Sequence, residues 1–174
     1  MSIVPDTKDW TWVLQIACPE CGFDTREVTT EDVPRILREN AAEWGEILTA
    51  DPTGLALRSS PDRWSALEYA CHVRDVFGKF DQRLALMLSE DNPQFLNWDQ
   101  DATAVEERYS EQAPAEVSAQ LQSAAVALAE RFSSVQGDQW QRRGQRSDGA
   151  RFTVETLGRY MVHDPVHHLY DVRK

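Results

Sequence analysis

The sequence predicts an all-α domain, a four-helix bundle with long connections. Three observations support this. In four separate segments, apolar residues recur at spacings of three and four, the period of a helix with one buried face. A helix-start signal precedes the second of these segments. No segment shows the alternation of apolar and polar residues that is typical of a strand, and the 174 residues contain no internal repeat.

The first two helices have the clearest patterns. Between Thr30 and Leu48, one stripe predicts the first helix, with Val33, Leu37, Ala41, Trp44 and Leu48. The second helix starts at a capping box, in which Ser65 is the N-cap and Glu68 reaches back to its amide. Its apolar period continues to about Leu88.

The second half of the chain is more interrupted. The polar stretch 89–113 is expected to contain a short helix over Ala104 to Tyr109. Pro114 suits the first turn of the third helix, whose stripe runs from Val117 to Phe132, and Gly137 is expected to stop it. Residues 141–151 predict a loop or a short hairpin around Asp148-Gly149. The fourth helix is expected to start near Thr153 and to end the chain.

Composition limits the classes of function. The formal charge of -11 argues against nucleic acid as a partner, because phosphates would be repelled. We identify no signal peptide and no apolar run long enough for a membrane span. Three cysteines are too few for a disulfide scaffold, so we expect a cytoplasmic protein in a reducing compartment.

The four histidines fall in two places, with His72 in the second helix and the others in the fourth. Because residues four apart share a helix face, His163 and His167 can bind one ion, and His72 would complete a three-nitrogen site. His168 points about 100° away from His167. The alternative is a core histidine and an ordinary polar face. Nearby carboxylates are candidates for orienting the imidazoles, namely Asp75, Asp164 and Asp171.

Pro165 lies between the paired histidines. It lacks an amide and clashes with the preceding turn, so we expect a kink there, or a new helical segment with Asp164 as its cap.

Two motifs carry a family resemblance. WSALEYACHVRD at residues 64–75, followed by HDPVHH at residues 163–168, resembles the two signature helices of the DinB/YfiT-like superfamily. The resemblance covers residues 28–174 and leaves residues 1–27 as an N-terminal extension with a CxxC motif. The family often has a Gln shortly after the last ligand, where this chain has Asp171.

The resemblance implies a four-helix bundle whose histidine triad binds zinc, nickel or a similar divalent ion, and neutral imidazoles also suit copper and ferrous iron. It also implies activities known in several branches, which are thiol S-transfer with mycothiol, bacillithiol or glutathione, and thiol-dependent isomerisation. Homodimers are frequent in the superfamily, so a homodimer is an expectation here.

The metal site suggests a chemistry. Three histidines leave one position open, and the charge of the ion would deprotonate a thiol that binds there. Our leading hypothesis is therefore an enzyme in which a metal-bound small thiol attacks an electrophilic substrate, without a protein nucleophile. One alternative is a non-catalytic metal- or ligand-binding module of a stress response. Another is a redox or metal-storage protein centred on the CxxC motif.

Further candidates surround this site in the sequence. Anionic groups of a substrate could contact the basic cluster of Arg142, Arg143, Arg146 and Arg151, and aromatics could line the mouth, namely Trp98, Tyr109 and Tyr160. Cys18 and Cys21 resemble half of a zinc-ribbon site, but a second CxxC is missing. Cys71 and His168 could supply the two missing zinc ligands only if the fold happened to place both beside this motif. We favour packed structural cysteines over a second metal site or a redox pair.

Overall fold

The computed structural model describes residues 9–50 and 53–174. Residues 1–8 of the predicted N-terminal extension lie outside the described residues. In this part of the chain the α-helices are α1 (Asp32–Ala50), α2 (Ala66–Ser89), the short α3 (Gln100–Glu106), α4 (Pro114–Ser133) and α5 (Val154–Val172). The prediction of an all-α bundle with four long helices is confirmed. None of the helices in the described ranges combines the length and apolarity that crossing a membrane requires.

Helix α2 starts where the capping box predicts. The Ser65 hydroxyl accepts a hydrogen bond from the Glu68 amide at 3.2 Å, and the Glu68 carboxylate accepts one from the Ser65 amide at 2.8 Å. Arg58 adds an ion pair to Glu68, whose side chain is 4% exposed. Desolvation alone would raise the pKa of Glu68, but the bonds from Arg58 and Ser65 outweigh it and hold that pKa below its usual range.

The long helices are not arranged in chain order. Helix α4 makes the most extensive contacts with both α1 and α2, and α5 packs between the same two helices. Helices α1 and α2 are consecutive in the chain but therefore lie diagonally opposite each other in the bundle, which the long connections allow. The predicted apolar stripes meet in the core, where the largest fully buried side chains include Trp44, Phe77 and Phe132.

The described residues form a small three-stranded sheet, of which the sequence predicted the hairpin alone. The hairpin around Asp148-Gly149 is confirmed, since β2 (Arg143–Arg146) and β3 (Arg151–Thr153) pair antiparallel and Gly149 adopts a φ of +97°. The two-residue strand β1 (Gln94–Phe95) pairs parallel with β2 and is too short to show any periodicity. Gly137 does not stop α4 directly. The helix ends at Ser133, and Gly137 instead opens a 3-10 turn.

The short helix predicted over residues 104–109 lies a few residues earlier in the structure. The short helix α3 begins earlier, at Gln100, because the Asp99 side chain caps it by accepting a hydrogen bond from the Ala102 amide. Tyr109 lies in a separate 3-10 turn after the left-handed Arg108.

Helix α5 continues through Pro165. The alternative in which a new helical segment starts at Asp164 is wrong, because the helix runs unbroken from Val154 to Val172, while the kink stays a prediction. Pro165 removes one internal hydrogen bond. The buried Asn40 side chain of α1 fixes this turn by donating to the Pro165 carbonyl at 2.9 Å. The histidines on either side therefore keep helical spacing.

The N-terminal segment, defined here as residues 9–31, lies against α5. It contains 3-10 turns at Trp10–Leu14 and Thr25–Glu27, and the buried Thr25 hydroxyl donates to the Val13 carbonyl at 2.5 Å. Between them the CxxC motif forms a tight turn closed by the Gly22 amide on the Cys18 carbonyl at 2.8 Å. Gly22 has a φ of +76°, which glycine adopts without strain.

Candidate metal centres on helix α5

Helix α5 carries two pairs of ligating residues on adjacent faces. His163 and His167 form one pair, and Asp164 and His168 form the other, each four residues apart. Because one residue step rotates the side-chain direction by about 100°, the two pairs face different neighbours. Within the described ranges, two groups of metal-ligating side chains have their ligand atoms within 4.8 Å of one another, and each group uses one of these pairs.

The structure therefore divides the predicted triad. His163 and His167 lie together, as predicted, but they face the N-terminal segment, whereas His72 lies with Asp164 and His168. The physical reason is the rotation of α5 about its axis. That rotation turns the face of residues 164 and 168, rather than that of residues 163 and 167, towards α2.

The first group, called here the Cys/His cluster, consists of Cys18, Cys21, His163 and His167. Cys18 Sγ lies 3.7 Å from His167 Nδ1, and Cys21 Sγ lies 3.7 Å from His163 Nε2. Cys18 is 1% exposed and the two histidines are 4% and 6% exposed, whereas Cys21 is half-buried.

Burial controls protonation in the Cys/His cluster. Desolvation raises the pKa of the Cys21 thiol to about 11, with the neighbouring Cys18 adding to the shift. Desolvation also lowers the pKa of His163 to about 4, and it lowers that of His167. At neutral pH both imidazoles are therefore uncharged, the form that ligates metals.

Aromatic and acidic groups surround the Cys/His cluster. The Trp10 ring lies 5.6 Å from the His163 ring and 5.5 Å from the His167 ring, centroid to centroid. The His167 Nε2 atom points away from the thiols, towards carboxylate oxygens of Asp171 at 3.6 Å and Glu20 at 3.8 Å.

The second group, called here the His/Asp cluster, consists of His72 on α2 with Asp164 and His168 on α5. Asp164 Oδ1 lies 3.2 Å from His72 Nε2 and 3.6 Å from His168 Nε2. Asp164 was expected to orient an imidazole from outside the ligand set, but it stands between the two rings. Desolvation alone would raise its pKa, yet His72 and His168 outweigh this and hold the pKa well below its usual range.

Packing fixes the two imidazoles of the His/Asp cluster. His72 is fully buried and stacks on Trp98 at a centroid distance of 5.4 Å and an interplanar angle of 9°. Its Nδ1 atom has no hydrogen-bond partner among the described residues, so its polar contact is the Nε2 side that faces Asp164. His168 Nδ1 lies 3.2 Å from Asp171 Oδ2, as expected for an orienting carboxylate.

A cavity of about 100 Å³ lies against both clusters. Its walls are formed by Trp10, Gln100, Tyr160, His163, Asp164, His167 and His168. A larger cleft of about 570 Å³ lies elsewhere, beside Trp140, and no histidine or cysteine is among the residues that line it.

Several other predicted site residues make contacts different from those expected. Asp75 does not orient His72, because it accepts hydrogen bonds from the Tyr109 hydroxyl and from Arg74 Nε. Tyr109 is fully buried and so does not line a mouth. Trp98 stacks on the His72 ring, and Tyr160 is part of the cavity wall.

The basic cluster is also divided. Arg142 donates to the carbonyls of Met87 and Glu90 and so caps the end of α2. Arg146 is buried, pairs with Asp148 and donates to the Tyr160 hydroxyl at 3.1 Å, which places it behind the cavity wall. Arg143 and Arg151 are exposed on the hairpin.

Two assignments escaped the sequence interpretation. Asp164 and His168 have the same i, i+4 spacing as the predicted pair, and this was the signal available for the His/Asp cluster. Cys18 and Cys21 lie beside His163 and His167 rather than beside Cys71 and His168. Cys71 instead contacts the Tyr109 carbonyl. The combined spacing C-x2-C and H-x3-H could have indicated this group.

Comparisons with known proteins agree with the fold. The DinB superfamily matches residues 23–172. A solved structure of YfiT from Bacillus subtilis, described as a probable metal-dependent hydrolase with an unusual four-helix bundle topology, is similar with a TM-score of 0.72 and 19% identity. The similarity covers 84% of this chain and 89% of YfiT. No curated protein matches. The predicted resemblance is thus confirmed, and the chain belongs to the DinB superfamily.

Proposed function

We propose that the chain is a metal-dependent enzyme whose catalytic ion is held by the His/Asp cluster and which joins a small thiol to an electrophilic substrate. The observation that carries this proposal is the convergence of three candidate ligands on two packed helices, where Asp164 and His168 line a cavity. Three protein ligands are typical of catalytic sites, which keep one position open for a reactant.

The donor set fits a divalent ion. Ligand atoms about 2.0–2.2 Å from one ion lie roughly 3 to 3.5 Å apart, and the distances from Asp164 Oδ1 to the two imidazoles are 3.2 and 3.6 Å. Two imidazoles and one carboxylate suit zinc, nickel or ferrous iron. When bound, such an ion would acidify a thiol or a water molecule at its open position.

The protein would hold and shield this centre. Asp171 fixes the orientation of His168 through its Nδ1 side, and the stacked Trp98 does the same for His72. Trp10 and Tyr160 form an aromatic part of the cavity wall. Exclusion of water by such walls strengthens the electrostatic interactions within a site.

A thiol suits this site better than water does. Every imidazole or carboxylate among the described residues that line the cavity belongs to one of the two clusters, so no separate general base is in place. A thiol with an ordinary pKa of about 8.5 needs a much smaller shift to ionise at pH 7 than water, at about 15.7. Asp164 also leaves the ion with less positive charge than three histidines would. Mycothiol, bacillithiol and glutathione are the thiols we propose.

Hydrolysis is the second candidate function. The similarity in fold to YfiT favours it. Both functions require the same metal site, so they differ in the nucleophile alone.

The test combines metal analysis with an activity screen. Protein purified without a His tag is compared with His72→Ala and His168→Ala, and each is incubated with the three thiols and a chloronitrobenzene electrophile. We expect metal- and thiol-dependent product from the parent and none from either variant, while Arg143→Ala behaves as the parent.

Other outcomes would decide between the alternatives. Cleavage of ester substrates without any thiol would replace the first function by the second. Metal that binds without either activity would favour the non-catalytic module. If both variants kept the full metal content of the parent, the His/Asp cluster would not be the metal site.

A further inference from the structure

We propose that the Cys/His cluster is a second metal site, a closed tetrahedral zinc centre that fastens the N-terminal segment to α5. The site is separate from the His/Asp cluster and shares no ligand with it. Its role would be structural rather than catalytic.

The ligand types and their spacing match a zinc centre. Structural zinc sites combine two thiolates and two imidazoles as C-x2–4-C and H-x3–5-H pairs. Here Cys18 and Cys21 are separated by two residues, and His163 and His167 by three. The two pairs come from opposite ends of the chain, and the fold brings them together.

The distances match as well. With zinc–sulfur bonds of about 2.3 Å and zinc–nitrogen bonds of about 2.05 Å, a tetrahedron puts sulfur and nitrogen about 3.6 Å apart. The distances from Cys18 Sγ to His167 Nδ1 and from Cys21 Sγ to His163 Nε2 are both 3.7 Å. All four ligand atoms lie within 4.8 Å of one another.

The surroundings of His167 support ligation through Nδ1. Its other nitrogen, Nε2, faces Asp171 and Glu20 at 3.6 and 3.8 Å. A carboxylate beside the non-ligating nitrogen is the usual arrangement around a metal-bound histidine, because it fixes the tautomer and the ring orientation. Glu20 lies within the CxxC motif itself, so the turn that supplies the thiolates also supplies an orienting group.

Charge and burial indicate a closed centre. Binding of one Zn²⁺ would release the two thiol protons to solvent, and two thiolates with two neutral imidazoles would leave the site with no net charge. A neutral centre can be buried at low cost, and three of the four ligands are buried while Cys21 is half-buried. Four protein ligands leave no open position for a reactant, in contrast to the His/Asp cluster.

The site would add a metal-bound anchor to the N-terminal segment, which otherwise packs on α5 through side chains and a hydrogen bond from Arg159. Residues 9–31 contain short 3-10 turns rather than an α-helix, and their buried side chains include Val13, Cys18 and Thr25. Cys18 and Cys21 lie between the two turns, so a metal there ties the middle of the segment to α5. Trp10 packs on both ligating histidines and also lines the cavity of the His/Asp cluster.

Cobalt substitution tests the proposal directly. Metal-free full-length protein is titrated with Co²⁺, and its absorption is recorded for the parent, for Cys18→Ser/Cys21→Ser and for His72→Ala/His168→Ala. We expect the parent to show sulfur-to-cobalt charge transfer and strong visible bands of tetrahedral cobalt. The cysteine variant should lose the charge-transfer band and keep only the visible bands of cobalt at the His/Asp cluster, whereas the His72/His168 variant should keep the charge-transfer band.

A second measurement does not depend on the variants. Trypsin cleavage after the exposed Arg26 should be at least tenfold faster in metal-free parent protein than in zinc-loaded protein.

The outcomes separate this proposal from the proposed function. Parent protein that binds cobalt without charge transfer, or a cysteine variant that keeps the charge-transfer band, would overturn the zinc centre. Cleavage at Arg26 that does not respond to zinc would overturn its structural role. Loss of thiol transfer in His72→Ala/His168→Ala with the cobalt spectrum intact would leave this inference standing.

Discussion

The Cys/His cluster and the His/Asp cluster differ although one helix serves both. The first has four ligands, two of them thiols, and joins the N-terminal segment to α5. The second has three ligands, no thiol, and joins α2 to α5 beside a cavity. An offset of one residue along α5 thus separates a closed, neutral ligand set from an open, charged one. Ligand number and charge, rather than histidine content, therefore distinguish the two sites.

The largest effect expected is zinc-dependent stability from the Cys/His cluster. In a His72→Ala/His168→Ala background, where this cluster alone can bind, free zinc at 1,000 times its Kd should raise the free energy of unfolding by about 4 kcal/mol. Urea denaturation with and without zinc measures this. The same background with Cys18→Ser/Cys21→Ser is the matched control, and an equal gain there would remove the distinction between the clusters.

The next effect tests the His/Asp cluster alone. Asp164→Asn keeps the shape of the side chain but removes the charged ligand, so metal affinity and thiol transfer should fall by at least about 100-fold, more than loss of an orienting group causes. The cobalt charge-transfer band of the Cys/His cluster should not change. Metal titration and initial rates measure the two quantities, and a simultaneous loss of the band would mean that the clusters are one unit.

A smaller effect is expected at the carboxylate that faces both clusters. Asp171 is closer to His168, at 3.2 Å, than to His167, at 3.6 Å. Asp171→Asn should therefore weaken metal binding by roughly 10- to 100-fold at the His/Asp cluster and by less at the Cys/His cluster. Competition with a chelator measures both affinities. Asp75→Asn serves as control, because Asp75 contacts Tyr109 and Arg74 instead, and equal losses in the two variants would contradict an orienting role.

The smallest effect concerns α2, which contributes a residue to the His/Asp cluster and none to the Cys/His cluster. Glu68→Gln removes the charged partner of Arg58 and weakens the start of α2, at a cost of about 1.5 kcal/mol in unfolding free energy. The folded-state pKa of Glu68 is lowered, so this stability is present above its ordinary pKa of about 4.3 and is lost as the pH falls through the lower folded value.

Denaturation curves of the parent and Glu68→Gln at several pH values measure that difference. The difference in unfolding free energy between the two proteins should be constant above about pH 5 and should shrink in acid. A gap that grew on acidification would reverse the sign of the inferred interaction.

Much of the fold could be predicted because it depends on local patterns. The stripes on α1, α2 and α4 and the capping box at Ser65 are short-range signals, and the structure contains each of them. The strand β1 was missed because two residues carry no period and its partner β2 lies about fifty residues away.

The site could be predicted only as pairs of residues. Spacing along α5 shows that His163 and His167 share a face, and it shows the same for Asp164 and His168. Which pair meets His72 depends on the rotation of α5, which is set by packing of buried residues such as Leu157 and Met161 against the other helices. The spacings C-x2-C and H-x3-H each indicate a pair of ligands, but the meeting of the two pairs depends on a contact across more than 140 residues, which neither spacing shows.

The tryptophans beside the two clusters have an optical consequence. Trp64 and Trp98 both pack on His72, at centroid distances of 5.2 and 5.4 Å, whereas Trp10 packs on His163 and His167. An open-shell ion bound at one cluster would quench the fluorescence of its adjacent indole most strongly. Trp10→Phe and the double variant Trp64→Phe/Trp98→Phe would therefore separate the quenching at the two clusters, and the molecule carries different built-in reporters for the filling of its two centres.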